Sequence, residues 1–243
     1  MPSKSTIEIF DQYWSSSLGC PSEALYNRQT LVVPDAASGN FRGIYCFLRN
    51  RTLIVAVSSD LIDAFRLRAE SWSREDVLDE TRLRRLIDYP IDWIIGPAFI
   101  GYTDWTTFRP VSREGVRILK PEDLRALEIL QAACDPLEWE HGGSRLGDQS
   151  AAGAFDGERL VAVAGYEIWG GSIAHIGVVS HPHYRGKGYG KAVVSKLTKE
   201  VLNRGVVPQY QTLDVNKPSM ELAHRLGFER YATTVAVRLK SSR

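Results

Sequence analysis

The chain has 243 residues, of which 30 are lysine or arginine and 29 are aspartate or glutamate, so its formal net charge is +1. This near balance gives no electrostatic reason to expect nucleic acid or an anionic membrane as a partner. No apolar run approaches the roughly 18 residues of a membrane span, and the first residues lack the pattern of a signal peptide. The three cysteines are dispersed and odd in number, which argues against disulfides and a metal site. We therefore expect a soluble, cytoplasmic protein, and nothing indicates its oligomeric state.

Residues 1–110 have the pattern of a smaller α/β region. The predicted elements are a helix at 7–13, strands at 31–33, 43–48 and 52–57, helices at 61–65 and 80–87, and a strand at 93–100. Ser58, Ser59 and Asp60 are predicted to cap the second helix. The polar stretch 103–110 ends in proline and is typical of a connector.

Residues 111–243 give a clearer pattern. The predicted elements are a strand at 116–119, a helix at 121–130, strands at 150–155, 160–168 and 173–179, a helix at 189–202, a strand at 209–215, a helix at 218–226 and a strand at 233–239. Residues 134–147 read as irregular, and Gly170-Gly171 marks a hairpin turn. The order predicts an α+β domain with a mixed, mostly antiparallel sheet flanked by helices.

A glycine-rich segment, residues 178–191, joins a predicted strand to a predicted helix. Its glycines at 186, 188 and 190 leave consecutive backbone N–H groups unobstructed by side chains. Because the segment opens a helix, these N–H groups and the helix dipole favour a diphosphate. Further positive charge comes from Arg185, Lys187 and Lys191.

Two common phosphate-binding motifs fit this segment poorly. A Walker A loop needs glycine where Arg185 stands and a hydroxyl residue where Ala192 stands. A dinucleotide fingerprint needs a Gly-x-Gly-x-x-Gly spacing within a parallel βαβ unit. Here the spacing is Gly-x-Gly-x-Gly, and antiparallel strands are predicted before it.

The spacing Arg185-x-x-Gly188-x-Gly190 resembles motif A of the GNAT superfamily of N-acetyltransferases. Asn216, followed by a helix that ends in residues 226–228 (Leu-Gly-Phe), resembles motif B of the same family. The similarity covers roughly residues 116–240. It implies a GNAT-like fold and an acyltransferase that uses acetyl-CoA. Some members carry a degenerate second GNAT-like half, which residues 1–110 could be.

The resemblance also implies where the cosubstrate lies. In the family, the strands that correspond to 173–179 and 209–215 separate, and the pantetheine arm enters between them. One backbone N–H of the first strand polarises the thioester carbonyl. The acceptor, a small-molecule or peptide amine, then attacks directly without a covalent enzyme intermediate. The implied cofactor-binding residues are Val178, Val179, Ser180, Arg185, Gly186, Lys187, Gly188, Tyr189, Gly190, Lys191, Asn216 and Ser219.

The residue that protonates the leaving thiolate departs from the family pattern. Many members place a tyrosine seven residues after the motif B asparagine, but Ala223 stands there. Ser219, Tyr210 or water are the remaining candidates. Ser219 has an equally plausible role as a helix-capping hydroxyl.

Two residues are candidates for the general base. His175 would titrate near neutral pH, unless it is a packed structural histidine, and Glu167 lies late in the preceding strand. Strand alternation warns against taking both, because each must point into the same cleft. Glu138 and Glu140 could instead attract a cationic amine on which Trp139 stacks, or could belong to a solvated loop around a buried tryptophan.

A non-catalytic acetyl-CoA-binding regulatory module is the alternative to an enzyme. The alanine at position 223 and the absence of a recognised motif in residues 1–110 support it. Turnover of the thioester in the presence of amines separates the two.

Overall fold

The computed structural model describes residues 1–35, 42–144 and 149–240. In the first part of the chain the elements are α1 (Lys4–Leu18), β1 (Thr30–Pro34), β2 (Gly43–Arg49), β3 (Thr52–Val57), α2 (Ile62–Ala69), α3 (Arg74–Leu78), α4 (Glu80–Leu86) and β4 (Ile91–Tyr102). They are followed by β5 (Val116–Ile118), α5 (Leu124–Ala132), α6 (Pro136–Gly142), β6 (Ala152–Asp156), β7 (Arg159–Trp169), β8 (Ile173–Ser180), α7 (Tyr189–Asn203), β9 (Val207–Leu213), α8 (Lys217–Arg225) and β10 (Glu229–Leu239).

Each helix and strand predicted from the sequence is present, but two local predictions were wrong and one helix was missed. Residues 136–142 form a helix rather than irregular chain, because Asp135 caps the N–H groups of Leu137 and Glu138; residues 145–147 of that stretch lie outside the described part. Helix α2 has no side-chain cap. The Ser58 hydroxyl accepts instead from the Gly43 N–H at 2.7 Å. Helix α3, which was not predicted, begins with a capping box of Ser73 and Asp76.

The chain divides into two compact units. The unit that holds most of the N-terminal half comprises residues 4–100, 212–216 and 230–243, and the other comprises residues 1–3, 101–211 and 217–229. The last strand, β10, therefore lies almost wholly in the first of these units, which we call the N-terminal unit. The other is called the C-terminal unit.

In the N-terminal unit the strands follow the order β1-β3-β2-β10-β4. Strand β1 is parallel to β3, whereas β2 is antiparallel to both β3 and β10. Alternate residues of β2 and β3 form an apolar cluster with side chains of helices α2 to α4. On helix α1, Trp14 packs against Phe47 with ring centroids 4.9 Å apart. Helices thus cover the sheet of this unit.

A buried ion pair joins α1 to β2. Arg49 and Asp11 are only 7% and 9% exposed, and Arg49 Nη1 lies 3.0 Å from Asp11 Oδ1. Tyr231 donates to the same oxygen at 2.6 Å, and Tyr26 donates to the other. The guanidinium also lies 4.2 and 4.3 Å from the ring centroids of Tyr26 and Tyr231. The pair is therefore shielded from water on both faces of the guanidinium.

We expect Arg49→Met to lower the free energy of unfolding by about 3–5 kcal/mol, because it leaves the Asp11 carboxylate buried without its cation. Urea denaturation measures the change. The double variant Arg49→Met/Asp11→Asn should recover most of the loss, since no uncompensated charge remains and the amide can accept from one tyrosine hydroxyl and donate to the other. A single variant as stable as the native chain would contradict this role.

In the C-terminal unit the strands follow the order β9-β8-β7-β6-β5. The β8–β9 pair is parallel, and the other pairs are antiparallel. Helix α7 packs on one face of this sheet, and α5 contributes Leu127 and Leu130 to an apolar cluster on the other. The predicted class, a mixed and mostly antiparallel sheet flanked by helices, is confirmed.

Candidate active site

Strand β8 loses its neighbour on one side before it ends. Its parallel pairing with β9 covers four residue pairs, from Ile173–Val207 to Ile176–Tyr210. Both strands continue beyond this point, β8 to Ser180 and β9 to Leu213. On its other side β8 stays paired with β7 as far as Ser180. Within the described residues, the backbone from Gly177 to Ser180 therefore has one edge without a strand partner, as the resemblance implies.

The glycine-rich segment follows this open edge and begins α7. Gly188 adopts φ +84° and precedes the first helical residue, a conformation that favours glycine. Among the described residues, none of the backbone N–H groups from Gly186 to Lys191 donates a hydrogen bond. Such unpaired donors are expected in the first turn of a helix, and together with the dipole they favour an anion.

The basic side chains around the segment differ in their contacts. Arg185 Nη2 lies 2.5 Å from Glu138 Oε2, and its Nε donates to the Ser180 carbonyl at 3.3 Å. The Lys187 ammonium lies 4.8 Å from the ring centroid of Tyr184. Lys191 is half-buried.

Arg113 is a further cation that sequence reasoning missed. Its Nη1 donates to the Lys187 carbonyl at 2.6 Å, and its guanidinium lies 3.8 Å from the ring centroid of Tyr189. It comes from the segment before β5, where no spacing pattern singles it out. With Lys187, Lys191 and the unpaired N–H groups, it makes the segment fit the diphosphate of CoA.

Helix α8 lies close to the start of α7, since a Cβ at Gly190 would lie 3.7 Å from Leu222. On this side of the sheet the Ser219 hydroxyl is 2.9 Å from the hydroxyl of Tyr210, the β9 residue of the last β8–β9 pair. Burial raises the pKa of Tyr210, and the hydrogen bond with Ser219 opposes this. Ala223 is fully buried, so its position on α8 faces the core. Asn216 precedes α8 and is grouped with the N-terminal unit.

Glu167 and His175 lie on the opposite face. They are direct cross-strand partners in β7 and β8, so their side chains share one face of the sheet. The concern that strand alternation separates them is therefore wrong. The cause is the hairpin turn, which has three residues, Gly170 to Ser172, rather than two.

His175 is held by its neighbours on this face. Gln209 Nε2 lies 3.1 Å from His175 Nδ1, and Trp169 stacks on the ring with centroids 4.1 Å apart. Burial lowers the pKa of His175 to about 4, and the nearby Glu167 carboxylate opposes this. His175 is therefore neutral at physiological pH, whereas Glu167 is exposed to solvent.

The end of α6 lies directly on β7 and β8. A Cβ at Gly177 would lie 3.1 Å from the Gly142 carbonyl oxygen, and one at Gly165 would collide with the Ser144 hydroxyl. Trp139 packs against the apolar cluster that contains Val179. This favours the buried-tryptophan interpretation over stacking on an amine.

The predicted residues thus form two groups, one on each face of β8. The loop residues, Ser180, Tyr210 and Ser219 lie on the side of α7 and α8, whereas Glu167 and His175 lie on the side of α6. Val178 and Val179 line the open edge through their backbone. Both groups lie near the end of the β8–β9 pairing, on opposite faces of β8.

Known proteins resemble this chain in sequence and in fold. Residues 118–228 match the family described as Acetyltransferase (GNAT) family. No curated protein matches the chain. An acetyltransferase from the GNAT family of Colwellia psychrerythraea is 14% identical over 99% of this chain and 98% of its own, with a TM-score of 0.54. A GNAT-family protein from Novosphingobium aromaticivorans is 23% identical over 63% of this chain and 67% of its own, with a TM-score of 0.48.

Residues 118–228, a little under half of the chain, therefore carry the similarity to the GNAT family of acetyltransferases. This match supports an acyltransferase. None of the helices in the described residues combines the length and apolar character needed to cross a bilayer. In the same ranges, no cluster of three or more His, Cys, Asp or Glu side chains is arranged to hold a metal ion.

We expect Gly188→Asp to weaken CoA binding by more than about 100-fold, because a carboxylate there repels the diphosphate. Isothermal titration calorimetry measures the affinity. Gly171→Asp is the matched control, since Gly171 also has a positive φ, +74° against +84°, and also has room for a side chain. Equal CoA affinities in the two variants would contradict the assignment of the loop.

Proposed function

We propose that the chain transfers an acetyl group from acetyl-CoA to an amine of a small-molecule or peptide acceptor, by direct attack in a ternary complex. The observation that carries this proposal is the end of the β8–β9 pairing at Ile176–Tyr210, beside a helix start whose N–H groups are unpaired. An open strand edge suits an extended amide-bearing arm. The helix start suits the diphosphate at the far end of that arm.

Different residues of the chain bind different parts of the cosubstrate in this proposal. The N–H groups of 186–191 hold the diphosphate, and Arg113, Lys187 and Lys191 add charge. The open backbone edge at Val178 to Ser180 pairs with the pantetheine arm, and one of its N–H groups polarises the carbonyl. Acetyl-CoA supplies a thioester that the amine nitrogen attacks. Asn216 stays a predicted contact to CoA.

Glu167 is the better general base of the two candidates. A base needs a lone pair that can take the proton of the ammonium, and His175 Nδ1 already lies 3.1 Å from the Gln209 amide nitrogen. Glu167 is an exposed carboxylate on the same face. We assign it the removal of the ammonium proton, directly or through water.

The Ser219–Tyr210 pair replaces the tyrosine that the family commonly places at position 223. Because Tyr210 is buried and its pKa is raised, it keeps its proton at neutral pH. The two hydroxyl oxygens are 2.9 Å apart, so either hydroxyl can donate to the other. We assign Ser219 the protonation of the leaving thiolate and Tyr210 the support of Ser219.

We expect Glu167→Gln to lower the turnover number by roughly 10²-fold, because the amide cannot take the proton of the acceptor ammonium. Release of CoA thiol with a panel of amines measures turnover, and calorimetry should show unchanged CoA affinity. The control is Glu158→Gln, an exposed carboxylate in the β6–β7 turn. A native chain that binds CoA but releases no thiol with any amine would favour the non-catalytic module.

We expect Ser219→Ala to lower the turnover number by about 10-fold or more while CoA affinity changes little, because the lost hydroxyl acts on the leaving group. Tyr210→Phe should have a smaller effect in the same direction. Steady-state kinetics at saturating acetyl-CoA measure both. A turnover number unchanged in both variants would leave water as the proton donor.

A further inference from the structure

A line of polar side chains crosses the α6 side of the sheet in the C-terminal unit. The Tyr102 hydroxyl donates to Gln209 Oε1, and Gln209 Nε2 lies 3.1 Å from His175 Nδ1. Tyr102 and Gln209 are fully buried. In this orientation of the Gln209 amide, the oxygen accepts from Tyr102 and the nitrogen faces the imidazole.

This orientation determines where the hydrogen of His175 lies. An amide nitrogen only donates hydrogen bonds, so Nδ1 must accept, and a neutral imidazole that accepts at one nitrogen carries its hydrogen on the other. The groups that face the ring are Glu167 across the strand and Trp169 stacked upon it. Burial keeps the ring uncharged, with a pKa of about 4. His175 is therefore a neutral imidazole with hydrogen on Nε2.

The Nε2–H group of His175 is a second donor on the ring. Within the described residues, His175 has no hydrogen bond besides the one at Nδ1. The side chain is half-buried, and it lies on the face that carries Glu167. The donor therefore shares one face of the sheet with the carboxylate to which we assign the acceptor's proton.

We propose that His175 donates from Nε2 to an oxygen of the acceptor, and that the acceptor is an α-amino carbonyl compound, such as an amino acid amide or a peptide N-terminus. This inference rests on the proposed function. The Glu167 carboxylate can take a proton from the amine of such an acceptor, and the Nε2–H group of His175 can donate to its carbonyl oxygen. A plain alkylamine or polyamine offers no such oxygen, so its binding strips water from Nε2–H without replacing the hydrogen bond.

The first test is the selectivity between two matched acceptors, alaninamide and propan-2-amine. We expect His175→Phe, which keeps an aromatic ring against Trp169, to lower the ratio of their kcat/KM values by about 10- to 100-fold. Because each variant is compared by a ratio, the intrinsic reactivity of the two amines cancels. CoA affinity should not change. A ratio equal to that of the native chain would overturn the proposal.

The second test measures the charge and the tautomer of the His175 imidazole and does not require acetyl transfer. Nitrogen-15 and carbon-13 NMR of the native chain should show neutral His175 with hydrogen on Nε2 at pH 7, and Gln209→Met should shift it toward a mixture of the two tautomers. Alaninamide, but not propan-2-amine, should perturb the Nε2 signal of the CoA-bound protein. A charged ring, hydrogen on Nδ1, or equal responses to the two amines would overturn the assignment. If these signals agree while no amine releases thiol, the acyl-transfer proposal fails and the donor assignment stands.

Discussion

The candidate site depends on the point where the hydrogen bonding between β8 and β9 ends. A parallel ladder satisfies the backbone groups of both strands, and four residue pairs of it hold these two together up to Ile176–Tyr210. Beyond this point, in the described part of the chain, β8 keeps only its antiparallel partner β7. Because side chains alternate along a strand, β8 then has one face toward α7 and α8 and the other toward α6. A ligand arm that enters the open edge has access to both faces.

The electrostatics of the site are local, since the chain as a whole is nearly neutral. Positive charge gathers at the start of α7, where Arg113 and Lys187 join the unpaired N–H groups. Arg185, the arginine of motif A, is paired with Glu138 of α6. Half-exposed pairs of this kind contribute little to stability, about 0–1 kcal/mol. A diphosphate carries more charge than one carboxylate and can therefore compete with Glu138 for the guanidinium.

The sequence predicted those parts of the site that depend on spacing along the chain. The glycines near the start of α7 were recognisable because a left-handed backbone and an unobstructed helix start restrict residue choice. The pairing of Glu167 with His175 could not be predicted, because it depends on the number of residues in the turn between β7 and β8. A two-residue turn after Trp169 would pair it with Ser172, but the three-residue turn pairs it with Ile173 and brings Glu167 opposite His175. A shift of one residue moves a side chain to the other face. Arg113 and α6 gave no periodic signal, although Asp135-Pro136 is a recognisable helix start.

The close approach of α6 to β8 restricts how this chain can change its acceptor during evolution. Backbone meets backbone where Gly142 lies on Gly177, and the Ser144 hydroxyl occupies the space above Gly165. Any larger residue at either strand glycine would push α6 away from the sheet. Selection for a new acceptor therefore has little freedom at these glycines. Heritable variation in substrate choice is expected instead at Trp169 and His175, whose side chains can change without moving the backbone.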